Sequence, residues 1–467
     1  MWYKMLNKRI NAHSKILKTF LLFSIFISVK AYSQVYSLSL RQAEDQALST
    51  SNTLKSTVES GAAAEFGADA QQATLWPKLT LNGNYYYQTN VPQLELPIPK
   101  VSPFNFGAND NYTFGLNLSY TLFDGGATYH LWKSSLQNSQ AKLDEIDLTK
   151  KQLILSIQKS YVKVQLSIEN TTLTAKSLLL SRARFNDVNN RFHAGSASKL
   201  DFVNSKRELL EYQLKLKQEQ NTLAADLRDL VNLTGGNQEV DYSRPWPQGL
   251  SQEAIPGLDS PTSYLQFDPL SANLNDNKKE FVGPNAEHPQ IRTLSDNAEA
   301  LRLSAKAAGA VQWPKISLSA TGEYLYPNGP ILQKVQQNIL AINVSMPLFE
   351  YSQSHHVQSQ HAAEAASLDF QKYQRMSELD RDFRKAKDLL DNLISQEILS
   401  HENAEQTEIV ATLTYQSYRA GKQQYLDVET ANLKSLESQV ALAQVRANIL
   451  TTEAQLQYLS SGKKESQ

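Results

Sequence analysis

Four short segments of the chain alternate between apolar and polar residues, which is typical of β-strands that bury only one face. They run from Leu79 to Tyr87, Tyr112 to Leu122, Ile316 to Tyr326 and Leu340 to Leu348. Each has about 9–11 residues, the length that crosses a bilayer when a strand is tilted. Aromatic residues gather near the strand ends, as they do in the girdles of membrane barrels. The pattern predicts four membrane-spanning strands, with a soluble β-sandwich as the alternative.

Four strands are too few to close a barrel by themselves, since the smallest known membrane barrels have about eight. An open sheet edge within lipid would leave backbone groups without hydrogen-bond partners. We therefore expect the chain to oligomerise. The strands alone allow a dimer, a trimer or a larger ring.

Two long segments contain neither proline nor glycine and are predicted to be continuous helices, Ala127 to Phe192 and Gln353 to Arg419. At a rise of roughly 1.5 Å per residue, each would extend about 100 Å. A shorter helix follows each, from Leu200 to Thr234 and from Tyr425 to Leu459. Helices are also predicted before the strands, from Leu38 to Leu75 and from Pro289 to Gln312. Two short helices stacked end to end would match one long helix. The predicted helices have narrow apolar seams and otherwise polar faces, as expected for helices that form a wall with water on both sides.

The same order of elements occurs twice, which indicates an internal duplication. The sequence LWPKLTLNGNYYY, from Leu75, is matched by QWPKISLSATGEYLY, from Gln312. SYTLFDGG, from Ser119, is matched by SMPLFEYS, from Ser345. We therefore divide the chain into residues 1–33, a first repeat at 34–239, a Pro-rich connector at 240–286 and a second repeat at 287–467. We expect the connector to be irregular, with short helices.

The turns that follow the two long helices also correspond. Each has an Ala-Gly pair, and an aspartate stands six positions after each glycine: Gly195 precedes Asp201, and Gly421 precedes Asp427. The glycines would supply the positive φ that ends a helix. The aspartates could simply be helix N-caps, whose loss costs about 1 kcal/mol.

The N-terminal 33 residues have the features of a secretory signal peptide. They carry six basic and no acidic residues, an apolar core from Phe20 to Val29, and small residues at Ala31 and Ser33. We predict cleavage after Ser33, with an uncleaved anchor helix as the alternative. The remaining chain is mildly acidic, which gives no support for nucleic-acid binding.

The composition excludes several classes of function. The chain has no cysteine, so it has neither disulfides nor thiolate metal sites. With 41% hydrophobic and 20% charged residues it does not fit a bundle of transmembrane helices. We find no nucleotide-binding, nucleophile-elbow or zinc-protease motif. We therefore expect neither an enzyme nor a bound cofactor or metal.

The duplicated order of strands, long helix, Ala-Gly turn and helix resembles the TolC-type outer-membrane efflux proteins. The resemblance covers essentially all of the chain after the signal peptide. It implies a mixed α/β membrane protein that forms a homotrimer. Each protomer would give four strands to one transmembrane β-barrel and four helical segments to a long periplasmic α-barrel. The connector would lie at the equator of that α-barrel.

The resemblance also implies roles for residues at the hairpin tips. Asp427 falls where the family has a ring of aspartates that narrows the periplasmic entrance. Asp201 and Tyr418 fall where a hydrogen bond between helices holds the closed gate. Gly195 and Gly421 fall in the tips that meet a periplasmic adaptor (membrane fusion) protein. Gln423 replaces an arginine of the family's gating network and Leu200 its partner, while Thr430 replaces a second ring aspartate.

The function that the resemblance implies is a passive duct across the periplasm and outer membrane. It would serve a tripartite efflux or type I secretion system and carry small molecules or polypeptides. An inner-membrane pump, proton-driven or of the ABC type, would supply the energy. The alternative is a structural periplasm-spanning coiled coil or an adhesin that conducts nothing.

Overall fold

The computed structural model describes residues 34–94, 104–105, 107–236, 241–249, 261–271 and 281–461. The predicted signal peptide lies outside the described residues. In the first repeat the elements are β1 (Gln34–Ser37), α1 (Leu40–Thr50), α2 (Asn52–Ala73), β2 (Lys78–Tyr87), β3 (Gln93–Leu94), β4 (Phe104–Asn105), β5 (Asp110–Phe123), α3 (Ala127–His193) and α4 (Lys199–Thr234). After these come β6 (Pro245–Pro247), β7 (Ser263–Gln266), α5 (Pro289–Ala310), β8 (Lys315–Tyr326), β9 (Val335–Ser345), α6 (Gln353–Arg419) and α7 (Tyr425–Leu459).

The four predicted strands form one antiparallel sheet in the order β2-β5-β8-β9. In one row across the sheet, Leu79 lies opposite Leu118, Leu118 opposite Ala320, and Ala320 opposite Leu340. The strand predicted at Leu340 to Leu348 is shifted, because β9 begins at Val335 and ends at Ser345. Pro347 follows closely and has no N–H to donate to a strand ladder, which is consistent with the earlier end.

The two faces of this sheet differ in chemistry. On one face cross-strand hydrogen bonds join polar side chains: Thr321 Oγ1 donates to Asn117 Oδ1 at 3.3 Å, and Asn343 Nδ2 donates to Ser319 Oγ at 3.3 Å. The other face carries apolar side chains that nothing in the described part of the protomer covers. They are more than half exposed and include Leu79, Leu81, Tyr85, Phe114, Tyr324, Leu340, Ile342 and Val344.

The two long helices α3 and α6 have 67 residues each and are continuous, as predicted. Both begin after a pair of residues in the left-handed region. In the first repeat these are Gly125 and Gly126, with φ of 67° and 85°. In the second they are Tyr351 and Ser352, with φ of 48° and 60°. The turn is therefore the same in both repeats, although only the first has the glycines that favour it.

The short helices stack end to end along the long ones. Thr50, at the end of α1, donates a hydrogen bond of 3.0 Å to the carbonyl of Thr234 at the end of α4. In the second repeat Gln290 of α5 donates to the phenol oxygen of Tyr458, near the end of α7, at 3.0 Å. The helix predicted from Leu38 to Leu75 is divided at Ser51, whose side chain accepts from Leu54 N and caps α2.

The described part of the connector contributes strands rather than the short helices we expected. β6 and β7 join β1 in a parallel sheet of order β1-β7-β6. Pro245 and Pro247 bracket Trp246 in β6, which is an edge strand, the position that tolerates proline because a missing N–H costs no ladder bond there. The Trp246 side chain is fully buried against residues of α3, α4 and α7, which include Leu178, Leu216 and Leu436. The connector is thereby fixed to the helical wall.

Among the described helices, none combines the length and the apolar character that a membrane crossing requires.

Candidate gate at the hairpin tips

Each long helix ends at its tip in the same way. Gly195 and Gly421 have φ of 73° and 72°, the left-handed conformation that terminates a helix. Ser196 N donates back to Arg191 O at 2.8 Å, and Lys422 N donates back to Ser417 O at 3.0 Å. A Cβ added at either glycine would meet open space. Both tips are therefore compact turns whose outer surface is free.

Asp201 and Asp427 occupy equivalent positions in the helices that leave the tips. Asp201 Oδ2 accepts a hydrogen bond of 3.3 Å from Ser198 N, and Asp427 Oδ2 accepts one of 3.2 Å from Gln424 N. Each closes a capping box as the third helical residue, while Ser198 and Gln424 are the N-caps. The aspartates thus cap their helices from the N3 position and not from the N-cap position that the sequence suggested.

The predicted hydrogen bond between Tyr418 and Asp201 is not formed between these two described residues. The Asp201 carboxylate is engaged with Ser198, and the Tyr418 ring lies under the guanidinium of Arg191, 5.6 Å from its centroid. Burial raises the pKa of Tyr418, and the negative charge of Asp201 raises it further. The two residues are therefore neighbours that interact through charge.

An apolar cluster joins the two hairpins just above the tips. Val188 of α3, Tyr418 of α6, and Tyr425 and Val428 of α7 are all buried and pack together. Arg191 adds a polar link, since its Nη2 donates to the carbonyl oxygen of Arg419 at 2.9 Å. This link crosses from the first hairpin to the second.

A buried carboxylate lies at the contact between α4 of the first hairpin and α7 of the second. Glu208 of α4 is 2% exposed, and it accepts hydrogen bonds from two residues of α7. Tyr425 Oη donates to its Oε2 at 2.6 Å, and Asn432 Nδ2 donates to its Oε1 at 2.9 Å. Burial raises the pKa of Tyr425, and the negative charge of Glu208 adds to this effect, so the phenol stays protonated and remains a donor. Both carboxylate oxygens are thus satisfied by the opposite hairpin.

A cation on α3 completes the network. Arg184 is 5% exposed and stacks on the ring of Tyr415 at 4.8 Å. Burial lowers the pKa of Arg184, and the negative charge of Glu208 opposes that change. Tyr415 Oη donates to Asp187 at 3.0 Å, and burial together with this bond raises the pKa of Tyr415 to about 12. At the rim, Arg207 of α4 pairs with Glu429 of α7. Four helices therefore meet in one polar network.

We name Arg184, Glu208, Tyr425 and Asn432 the hairpin latch. Sequence reasoning missed it, although a signal was present. The buried positions of α4 near its start are Ser205, Glu208, Tyr212 and Leu216, spaced as a helix seam. A charged residue at a seam position is rarely buried unless it has a partner.

The residues that depart from the family pattern lie outside the latch. Gln423 is exposed, and so is Leu200, at 67%. Thr430 donates its hydroxyl to Leu426 O within its own helix. In the described part of the chain, no group of three or more His, Asp or Glu side chains is arranged to hold a metal ion.

Comparison with known proteins agrees with this architecture. The profile of the family described as outer membrane efflux protein matches residues 44–236. No curated protein matches the sequence at a significant level.

Solved structures with the same fold share little sequence with this chain. Crystal structures of CusC, concerned with folding and transmembrane channel formation, have 16% identity and a TM-score of 0.73, covering 94% of this chain and 96% of that one. The outer membrane protein VceC of Vibrio cholerae has 16% identity and a TM-score of 0.71, with coverages of 91% and 97%. The open state of the MtrE outer membrane channel of Neisseria gonorrhoeae has 16% identity and a TM-score of 0.69, with coverages of 91% and 89%.

Proposed function

We propose that the chain is a member of the outer membrane efflux protein family, whose profile matches residues 44–236, and that it is the outer-membrane duct of a tripartite efflux or type I secretion system. It exports small molecules or polypeptides passively and extends from the outer membrane into the periplasm. It has no enzymatic role in this proposal, and an inner-membrane pump supplies the energy.

One observation supports the proposal above the others. The sheet with an uncovered apolar face is joined by tight turns to two helices of 67 residues. The apolar face suits contact with lipid, and the polar face suits a water-filled interior. At roughly 1.5 Å per residue the helices reach about 100 Å from the sheet, which is long enough for a periplasmic wall.

In the proposal the chain forms a homotrimer. Strands β2 and β9 are the edges of the sheet, so each leaves backbone groups unpaired in a single protomer. In lipid these groups must pair, and three copies that join β9 to the next β2 would close a barrel. The helices at the sides of the protomer also expose apolar side chains for a neighbour. These include Leu210 and Leu214 of α4 and Ile398 and Leu413 of α6.

The tips are the proposed gate and docking surface. Three copies of Asp427 would form an acidic ring at the entrance, which favours cations. Tyr418 and Asp201 would help to hold the closed arrangement. Gly195 and Gly421 mark the turns that would meet a periplasmic adaptor protein, because a Cβ added at either glycine would contact nothing in the described part of the protomer.

Planar-bilayer recording of the purified protein tests the duct. We expect channel events in the wild type, and three protomers per particle by native mass measurement. Particles that insert into the bilayer but never conduct would instead favour the non-conducting coiled coil or adhesin.

The adaptor contact can be tested by crosslinking, because the chain contains no cysteine and single-cysteine variants are therefore unambiguous. Ser196→Cys and Lys422→Cys place a thiol in each tip, and Lys385→Cys on α6 is an exposed control away from the tips. We expect both tip variants to capture an adaptor in cells and the control not to do so. Equal capture by all three variants would contradict docking at the tips.

A further inference from the structure

A cavity of about 800 Å³ lies between α3, α5 and α6, far from the tips. Apolar side chains form part of its lining, among them Leu143, Ile146, Ile291 and Met376. Charged side chains also line it, and two of them meet: Asp144 of α3 and Asp296 of α5. A cavity of this size, apolar with a few convergent polar groups, is typical of small-molecule sites.

Asp144 is the buried anchor of this cavity. The residue is 4% exposed, and its Oδ1 lies 2.7 Å from Arg292 Nη2. Its other oxygen, Oδ2, is buried and has no hydrogen-bond partner among the described residues. A buried carboxylate oxygen without a donor is costly, by about 1–3 kcal/mol or more. The site therefore lacks one hydrogen-bond donor that faces Asp144.

Asp296 lies beside Asp144 and also lines the cavity. Burial raises the pKa of Asp296 to about 6, and hydrogen bonding and charge repulsion from Asp144 contribute, while Arg292 opposes the change. Below that pH a proton on Asp296 can serve as the missing donor to Asp144. Above it the proton leaves, and two carboxylates face each other with the donor position empty.

Other charged groups surround the pair, and most of them have partners. Arg292 also contacts Asp147 at 3.2 Å, and Lys150 lies 3.8 Å from the same Asp147. From α6, Lys372 lies 3.4 Å from Asp369. Glu287, which precedes α5, is a further acidic group in the lining. Lys150 and Lys372 therefore have acidic partners outside the pair, while Arg292 is shared between Asp144 and Asp147. Asp144 Oδ2 and the carboxylate of Asp296 remain available to a ligand.

We propose that this cavity binds a monocationic organic amine that carries an apolar group. The ammonium donates to Asp144 Oδ2 and pairs with the carboxylate of Asp296, while the apolar group packs against Ile146, Ile291 and Met376. An ammonium fits better than a divalent metal ion, because only two carboxylates converge and Arg292 already lies beside them.

The site does not depend on the proposed duct, and it is tested without current recording. Phenethylamine is titrated by calorimetry into the full-length protein in detergent. The neutral 2-phenylethanol and ammonium chloride separate the apolar and the cationic contributions. We expect saturable binding of phenethylamine at pH 7.5 and much weaker binding of the other two. At pH 5 the amine should bind about tenfold more weakly, because the proton on Asp296 competes with it.

Two variants locate the site. Asp296→Asn keeps the shape but removes the charge, so we expect binding at least tenfold weaker and no longer dependent on pH between 5 and 7.5. Asp144→Asn should also abolish high-affinity binding. Asp388→Asn, at an exposed position of α6, is the matched control and should bind as the wild type does. The melting curve of each variant verifies that it is folded.

The proposal is overturned if the wild type shows no saturable binding of phenethylamine, or if 2-phenylethanol binds equally well. Unchanged affinity in a folded Asp296→Asn variant also overturns it. Affinity that is independent of pH in the wild type would contradict the competition with a proton.

Discussion

The phenol of Tyr425 donates a hydrogen bond of 2.6 Å to Glu208 Oε2, and this bond joins the second hairpin to the first in a fully buried setting. Asn432 satisfies the other oxygen of the same carboxylate. The contact that the sequence suggested, between Tyr418 and Asp201, lies nearer the tip and acts only through charge. Near the tips, buried hydrogen bonds therefore join the hairpins at the latch.

Breaking the latch should open the proposed gate. A buried hydrogen bond to a charged group contributes about 1.5–3 kcal/mol. Tyr425→Phe removes that bond and leaves Glu208 Oε2 without a donor, so the closed state should lose a similar amount. We expect the open probability in bilayer recordings to rise by roughly tenfold or more. Asp201→Asn is the comparison, because asparagine can still accept from Ser198, and it should change the open probability much less. A larger effect of Asp201→Asn than of Tyr425→Phe would show that the tip contact governs the gate.

Asp427→Asn should distinguish the effect of Asp427 on cation selectivity from its effect on the stability of the tip. Asparagine retains an oxygen that can accept from Gln424 N, so the capping box persists and thermal unfolding should be unchanged. The ring of three carboxylates would be lost, so cation selectivity, measured by the reversal potential in a salt gradient, should fall. Asp427→Ala should lower cation selectivity equally and also destabilise the tip by about 1 kcal/mol. Unaltered selectivity in both variants would place Asp427 away from the conduction path.

Ser352→Gly should stabilise the protein. Ser352 has φ of 60°, a conformation that costs a residue with a Cβ roughly 1–2 kcal/mol and glycine almost nothing. We expect a gain of about 1 kcal/mol, measured as a higher midpoint of thermal unfolding. Gly126→Ala is the reciprocal control at the matching position of the first repeat, where φ is 85°, and it should lower the midpoint. A lower midpoint in Ser352→Gly would mean that the hydroxyl contributes more than the strain costs.

His288 should make the protein sensitive to acid. It is fully buried, and burial lowers its pKa to about 4, with the charge of Lys151 lowering it further. An unfolded histidine has a pKa near 6.5, so between about pH 6.5 and 4 the unfolded chain binds a proton that the folded chain does not. Stability should therefore fall as the pH decreases through this window.

The variant His288→Gln should show a smaller loss of melting temperature between pH 7 and pH 4.5 than the wild type. Asp296→Asn should show a larger loss of melting temperature over the same pH range. The raised pKa of Asp296 favours the folded state at acid pH, and this variant loses that contribution. An identical loss of melting temperature in His288→Gln and the wild type would show that other groups cause the acid sensitivity.

The repeating patterns of the sequence determined the main elements of this fold. Alternation over about ten residues identified the strands, because a sheet with two different faces requires period two. The absence of proline and glycine over the long segments identified α3 and α6, whose bounds agree with the predicted ones within one residue. Such features are local, so a single sequence contains them.

Only the tertiary structure decided which polar residues meet. Glu208 and Tyr425 are separated by 217 positions, and nothing local in either helix indicates that the other lies opposite. Asp144 and Asp296 likewise meet only because α5 packs along α3. The turn at Tyr351 and Ser352 was likewise not predictable, since these two residues adopt a left-handed conformation that they do not favour. The periodicity of the side chains can be determined from the sequence because it is local. Contacts between distant residues depend on how the helices pack, which the sequence does not show directly.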